Sequence, residues 1–154
     1  ENAGGENESG EASAEGDFIQ PVVVKANPNA KAITWRDLAK VTFEDKYYEE
    51  ADANLLFPSY SEEVKELNQQ TINIEGYVNP VTPGRYELSA NPFASCFFCG
   101  NAGPESVLEL ELSRPEQIFL TDEYRTFQGK FVLNDTDIDR MNYILLLAQA
   151  VEIE

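Results

Sequence analysis

The amino-acid sequence predicts a mainly β domain, a small five-stranded barrel carrying one or two short helices. Three observations lead there. Beyond Gln70 the chain divides into about five β-rich segments separated by turn-forming residues. The clearest is Val107 to Leu112, VLELEL, which has period two throughout and would turn Glu109 and Glu111 to water. Gly76 and Gly129 fall inside two of these segments, as a sharply coiled small sheet requires. Strands closing in this way fit an OB-like barrel; an open α+β sheet is the alternative.

The elements follow in order. Ile19 to Val24 holds Pro21 and three valines and reads as an edge strand or extended arm. Asn27, Pro28 and Asn29 form a turn. Thr34 can cap a short helix over Trp35 to Lys40, with Asp37 at the third position. Val41 to Glu49 alternates as a strand. Leu55, Leu56 and Phe57 precede Pro58; Ser59 or Ser61 then caps a helix over Glu62 to Leu67. The strands after it run from Thr71 to Val78, Tyr86 to Ser89, Val107 to Leu112, Tyr124 to Leu133 and Tyr143 to Ile153. Pro80, Pro83 and Gly84 supply the first turn, and Gly129 marks a bulge or bend.

The charge balance excludes whole classes of function. The chain of 154 residues carries 28 Asp and Glu against 11 Lys and Arg, a net charge of -17. Such a surface repels phosphate backbones, so nucleic-acid binding is not expected; anionic membrane surfaces are disfavoured for the same reason. No apolar run is long enough to span a bilayer, which takes about 18 residues or more. There is no histidine. Ser-His-Asp and Cys-His catalysis therefore cannot be assembled within the chain.

Residues 1–17, ENAGGENESGEASAEGD, contain six acidic residues, no basic ones and only alanine as an apolar side chain. A segment of this kind cannot bury enough surface to offset the entropy of ordering and reads as a disordered acidic tether ahead of a single domain over 18–154. It resembles the stretch that follows the lipidated cysteine of many bacterial lipoproteins. That resemblance implies an exported chain, in the periplasm or anchored to the outer membrane through a lipidated residue ahead of Glu1. An ordinary terminus is the plainer alternative.

The chemistry-bearing segment is Asn91 to Glu105, NPFASCFFCGNAGPE, which holds both cysteines as C-x-x-C. Three readings compete. Cys96 and Cys99 can close a small disulfide ring, worth on the order of 2 kcal/mol. They can supply half of a zinc or copper(I) site, completed by Glu105, Asp122 or Glu123 or by thiolates from a second chain. They can act as a thiol redox pair, although Gly100, Gly103 and Pro104 oppose the helix that would activate the first thiol. Two inert thiols buried by Phe93, Phe97 and Phe98 complete the range.

The stretch GYVNPVTPGRYELSANPFASCFFCGNAGPESVLEL, Gly76 to Leu110, resembles a family of small bacterial exported domains of unknown function. ITWRDLAKV, Ile33 to Val41, matches their opening, and Phe127 to Ile153 their last two strands, so the resemblance covers Ile33 to Ile153. It implies an OB-like barrel, a periplasmic or lipid-anchored protein and an association with transport of metals such as zinc. Relatives pair the loop cysteine with a histidine or a further cysteine. Here Cys96 matches that cysteine and Cys99 stands where a second ligand would.

Two further patterns have plain readings. Asp135, Asp137 and Asp139 alternate like the start of a calcium loop but lack its glycine and closing glutamate, and read as an acidic turn. Tyr47, Tyr48, Tyr60, Tyr77 and Tyr86 read as packing aromatics rather than a ligand surface. The expected function is a non-enzymatic accessory or binding module, with thiol-disulfide exchange or a purely structural partner-binding role as alternatives. Thiol titration with and without chelator, joined to elemental analysis, separates the loop readings. A disulfide gives no free thiol and no metal. A metal site gives stoichiometric zinc or copper that is lost in Cys96→Ser. A redox pair turns over in insulin reduction.

Overall fold

The computed structural model describes residues 19–93 and 103–153. The acidic leader 1–17, Phe18, Cys96 and Cys99 lie outside the described residues. Nine strands are described: β1 (Val24–Lys25), β2 (Lys31–Ala32), β3 (Val41–Tyr48), β4 (Ala53–Tyr60), β5 (Thr71–Thr82), β6 (Arg85–Ser89), β7 (Val107–Leu112), β8 (Tyr124–Leu133) and β9 (Tyr143–Glu152). Helices α1 (Trp35–Leu38) and α2 (Glu62–Lys65) and a 3₁₀ turn at Pro104–Ser106 complete the set.

β5 through β9 form the barrel. β5 pairs antiparallel with β6, β6 with β7, β7 parallel with β9, and β8 antiparallel with both β9 and β5. The sheet therefore closes in the order β5–β6–β7–β9–β8, a small OB-like barrel. The predicted mainly β class and five-stranded barrel are borne out, and the open sheet is not what forms.

Alternation explains the core. Ile72, Ile74 and Val78 of β5, Tyr86 and Leu88 of β6, Leu108 and Leu110 of β7, and Phe127 and Phe131 of β8 all belong to one buried cluster. β9 contributes Tyr143 and Leu145, then Ala148 and Ala150. The step from 145 to 148 breaks period two, because β9 carries an extra residue there. Gln128 pairs with Gln149 but Lys130 with Leu146, and the register against β7 shifts at the same place. Leu147 takes up the excess with φ 55 and lies exposed. The bulge is thus on β9, and Gly129 is its counterpart on β8: a Cβ at 129 would lie 2.6 Å from the Leu146 carbonyl oxygen.

The ends of the barrel are plugged. Phe119, from the irregular connection between β7 and β8, stacks edge-on against Tyr86 and Phe127. Leu38, Val64 and Leu67, from α1, α2 and the turn after α2, join the core cluster. The two helices are shorter than predicted. Thr34 and Asp37 form the predicted capping box of α1. Ser61, not Ser59, caps α2 by accepting from the Val64 N–H, because Ser59 belongs to β4.

Two other expectations are revised. Leu55 to Phe57 lie in a full strand, and β3 and β4 form a separate antiparallel hairpin with Pro58 paired to Phe43. β5 continues past Val78 through Pro80, leaving only Pro83 and Gly84 for the turn. The N-terminal segment takes the extended-arm form: Ile19 bridges Gln117 and the Val22 N–H donates to Gln117 Oε1 before the two residues of β1.

The bulge yields a paired prediction. Gly129→Ala should destabilise by about 1–3 kcal/mol, the usual cost of overpacking against backbone. Leu147→Asn should stabilise by about 1 kcal/mol, since a left-handed conformation costs leucine more than asparagine and the side chain buries little. Urea midpoints of the two variants check both signs.

Candidate functional site

One end of the barrel bears a surface built by three segments: the outer face of β6 and β7, the connection 134–142 between β8 and β9, and the flank of β4. The connection is organised by Asn134, which is buried. Its Nδ2 donates to the carbonyls of Asp137, Arg140 and Met141, and its Oδ1 accepts from the N–H groups of Thr136 and Asp137. The backbone N–H of Asn134 donates to Asn142 O, and Asn142 Nδ2 returns a bond to Asn134 O. The Tyr60 hydroxyl, at the end of β4, donates to both Asn134 O and Asn142 O. The hairpin and the connection are therefore fastened to each other at their bases. Burial raises the Tyr60 phenol above its ordinary range and keeps it a donor.

This segment folds back over β7 and changes the fate of its carboxylates. Glu109 was expected to face water; it is 8% exposed, beneath Arg140. Arg140 donates to Glu109 Oε2 from Nε at 3.0 Å and from Nη2 at 2.5 Å, and to Glu111 Oε2 at 3.1 Å. Arg85 approaches the same two carboxylates, at 3.6 Å from Glu109 and 3.2 Å from Glu111. Two guanidinium groups and two carboxylates thus form a closed network on the outer face. The hydrogen bond to Glu109 leads the effects that hold the Arg140 guanidinium above its usual range, so it stays charged.

Two depressions flank Arg140. A third hollow, of about 420 Å³, lies apart from them near β1 and β2, where the buried Asn73 Oδ1 has no hydrogen-bond partner among the described residues. The two at Arg140 itself have volumes of about 280 and 310 Å³. The first runs between β4, lined by Leu55 through Pro58, and the segment 135–142. The second lies over β6 and β7 beside Val81 and Ile138. Leu56, Ile138 and Val81 are all exposed at their rims.

The acidic turn at Asn134 to Asp139 forms as expected, and it lines this surface. Glu105 sits in the 3₁₀ turn, partly exposed, next to Gly103. Asp122 Oδ1 accepts from the Phe93 N–H at the other end of the cysteine segment, while Glu123 pairs with Arg125 at 3.4 Å. Among the described residues no three Asp, Glu, Cys or His side chains converge as a metal-holding group. The five tyrosines are dispersed. Tyr86 is buried and bonds Gln117 O and the Phe119 N–H, whereas Tyr47 is exposed and bonds Asp52. Asn134 and Arg140 escaped sequence reading. The run NDTDIDR held the signal, because an asparagine two residues before a turn offers both donor and acceptor to the backbone.

No protein-family model, curated protein or solved structure matches the chain.

The network predicts a coupling. Arg140→Met should cost about 2–4 kcal/mol, because Glu109 loses its main partner where water is excluded. Arg140→Met combined with Glu109→Gln should cost less than the sum of the singles. Denaturant melts of the four proteins in this cycle measure it, and simple additivity would mean that the pair is not coupled.

Proposed function

We propose that the chain is a non-enzymatic binding module of an exported protein, which engages a protein partner through the surface around Arg140. The observation that carries this reading is the fastening of 134–142 to both β7 and β4, which makes a rigid wall beside an exposed apolar groove. A binding surface needs such preorganisation, since ordering a loose loop on contact would cost affinity. OB barrels bind ligands on the face of their second and third strands, next to the connection between the fourth and fifth. The surface here occupies that position. Its most buried carboxylate, Glu109, is committed to arginine, which leaves it poorly placed for acid–base work. The absence of histidine from the whole chain points the same way.

The test is position-specific photo-crosslinking in the native cell. A photoreactive side chain at Leu56 or Ile138 should give a discrete adduct, and one at Tyr47 or Leu147, exposed outside the grooves, should not. Equal labelling at all four positions, or at none, would overturn the reading. Insulin reduction that is lost in Cys96→Ser would favour thiol-disulfide exchange in its place.

A further inference from the structure

The partner's chemistry can be taken further from the geometry of β4, resting on the reading of this surface as a binding face. β3 and β4 pair only with each other among the described residues. Pro58 has no N–H, so its pair with Phe43 is of the non-hydrogen-bonded kind, with backbone groups turned away from the ladder. Such pairs alternate along an antiparallel ladder. The N–H and C=O of Asn54 and Leu56 and the C=O of Pro58 therefore point outward from β4. No backbone or side-chain hydrogen bond among the described residues uses them.

The groove of about 280 Å³ runs along this edge, lined by four consecutive β4 residues. Its far wall carries Asp135 and Asp137, with Asp139 and Glu87 beside the adjoining hollow. None of these four carboxylates forms an ion pair with a lysine or arginine among the described residues. Arg140 and Arg85, the cations nearby, are already matched by Glu109 and Glu111. The groove thus offers unused strand hydrogen bonds on one side, apolar contacts at Leu56 and Ile138, and surplus negative charge opposite.

We propose that the groove receives an extended, basic and apolar peptide segment of another protein, which adds as a third strand to the outer edge of β4. Its backbone pairs with Asn54, Leu56 and Pro58. Its alternate side chains fall on two sides, as in any strand. Apolar ones meet Leu56 and Ile138, and lysines or arginines face Asp135 and Asp137. An acidic segment, including this chain's own leader, is repelled by the same carboxylates.

The probe is a short blocked peptide alternating lysine and valine, titrated into the full chain and followed by amide-resolved NMR. Saturable shifts at Asn54, Leu56 and 135–139 are expected, and the glutamate–valine analogue should not bind. Methylating the peptide amides that face β4 should weaken binding about tenfold or more, while methylating the alternate set should not, because each lost backbone bond counts. Leu56→Pro removes an outward N–H that the β3 ladder does not use, and should weaken binding with the melting temperature little changed. Asp135→Asn with Asp137→Asn serves as the second variant and should flatten the salt dependence.

Equal binding of the acidic analogue overturns the charge argument, and indifference to methylation overturns strand addition. Shifts confined to β6 and β7 would overturn this inference while leaving the binding-module reading intact. Failure of both peptides to bind, together with groove-specific crosslinking in cells, would do the same. Failure of the crosslinking as well would remove the underlying reading.

Discussion

Barrel closure is the constraint on which the rest of this molecule depends. β8 must pair on both sides, with β5 and with β9, and five strands close only if the sheet coils steeply. The coiling is met by two residues that face each other across one ladder. Leu147 adds a residue to β9 in the left-handed region, and Gly129 makes room for the carbonyl of Leu146. One consequence runs along β9. Its inward set changes parity from Tyr143 and Leu145 to Ala148 and Ala150, so the strand stays apolar inward on both sides of the bulge. The same bulge shifts the parallel register of β9 against β7 by one residue.

Closure also determines where the connection 134–142 can go. It leaves β8 and enters β9, which lies beside β7, so it necessarily passes close to the outer face of β7. Glu109 on that face would be an ordinary solvated carboxylate. Covered by the connection, it requires a cation and a donor, and Arg140 and the Met141 N–H supply them. Asn134 satisfies the backbone groups that the tight path leaves without strand partners. The rigidity of the surface thus follows from polar groups that burial obliges to pair, rather than from apolar packing.

Much of the barrel was legible in the sequence, because alternation and turn chemistry are local. VLELEL in β7, the glycines of β5 and β8, and the Thr34 capping box all act within a few residues of themselves. What was not legible depends on distant partners. The exposure of Glu109 is decided by a residue 31 positions away. β4 was missed because LLFP lacks alternation and contains proline. Proline is nevertheless compatible with an edge position whose N–H has no ladder partner. Gly129 signals a bulge, but the extra residue sits on the neighbouring strand β9, and nothing in the sequence of β8 marks its place. The two cysteines, the most conspicuous chemical signal in the sequence, lie outside the described residues.

A closed barrel has no free edge of its own, and exposed edges are what proteins usually guard against unwanted pairing. The appended hairpin brings two edges back. That of β3 bears Glu44, Asp45 and Lys46, a charged run that discourages a neighbouring strand. That of β4 runs through Leu55, Leu56 and Phe57 and is guarded by one proline and by the wall at 135–142. Net charge adds a second filter. A chain at -17 repels another copy of itself, so pairing of β4 with its own kind is opposed at long range. A basic segment meets no such barrier. Charge and edge together therefore discourage self-association while leaving the groove open to a partner of opposite sign.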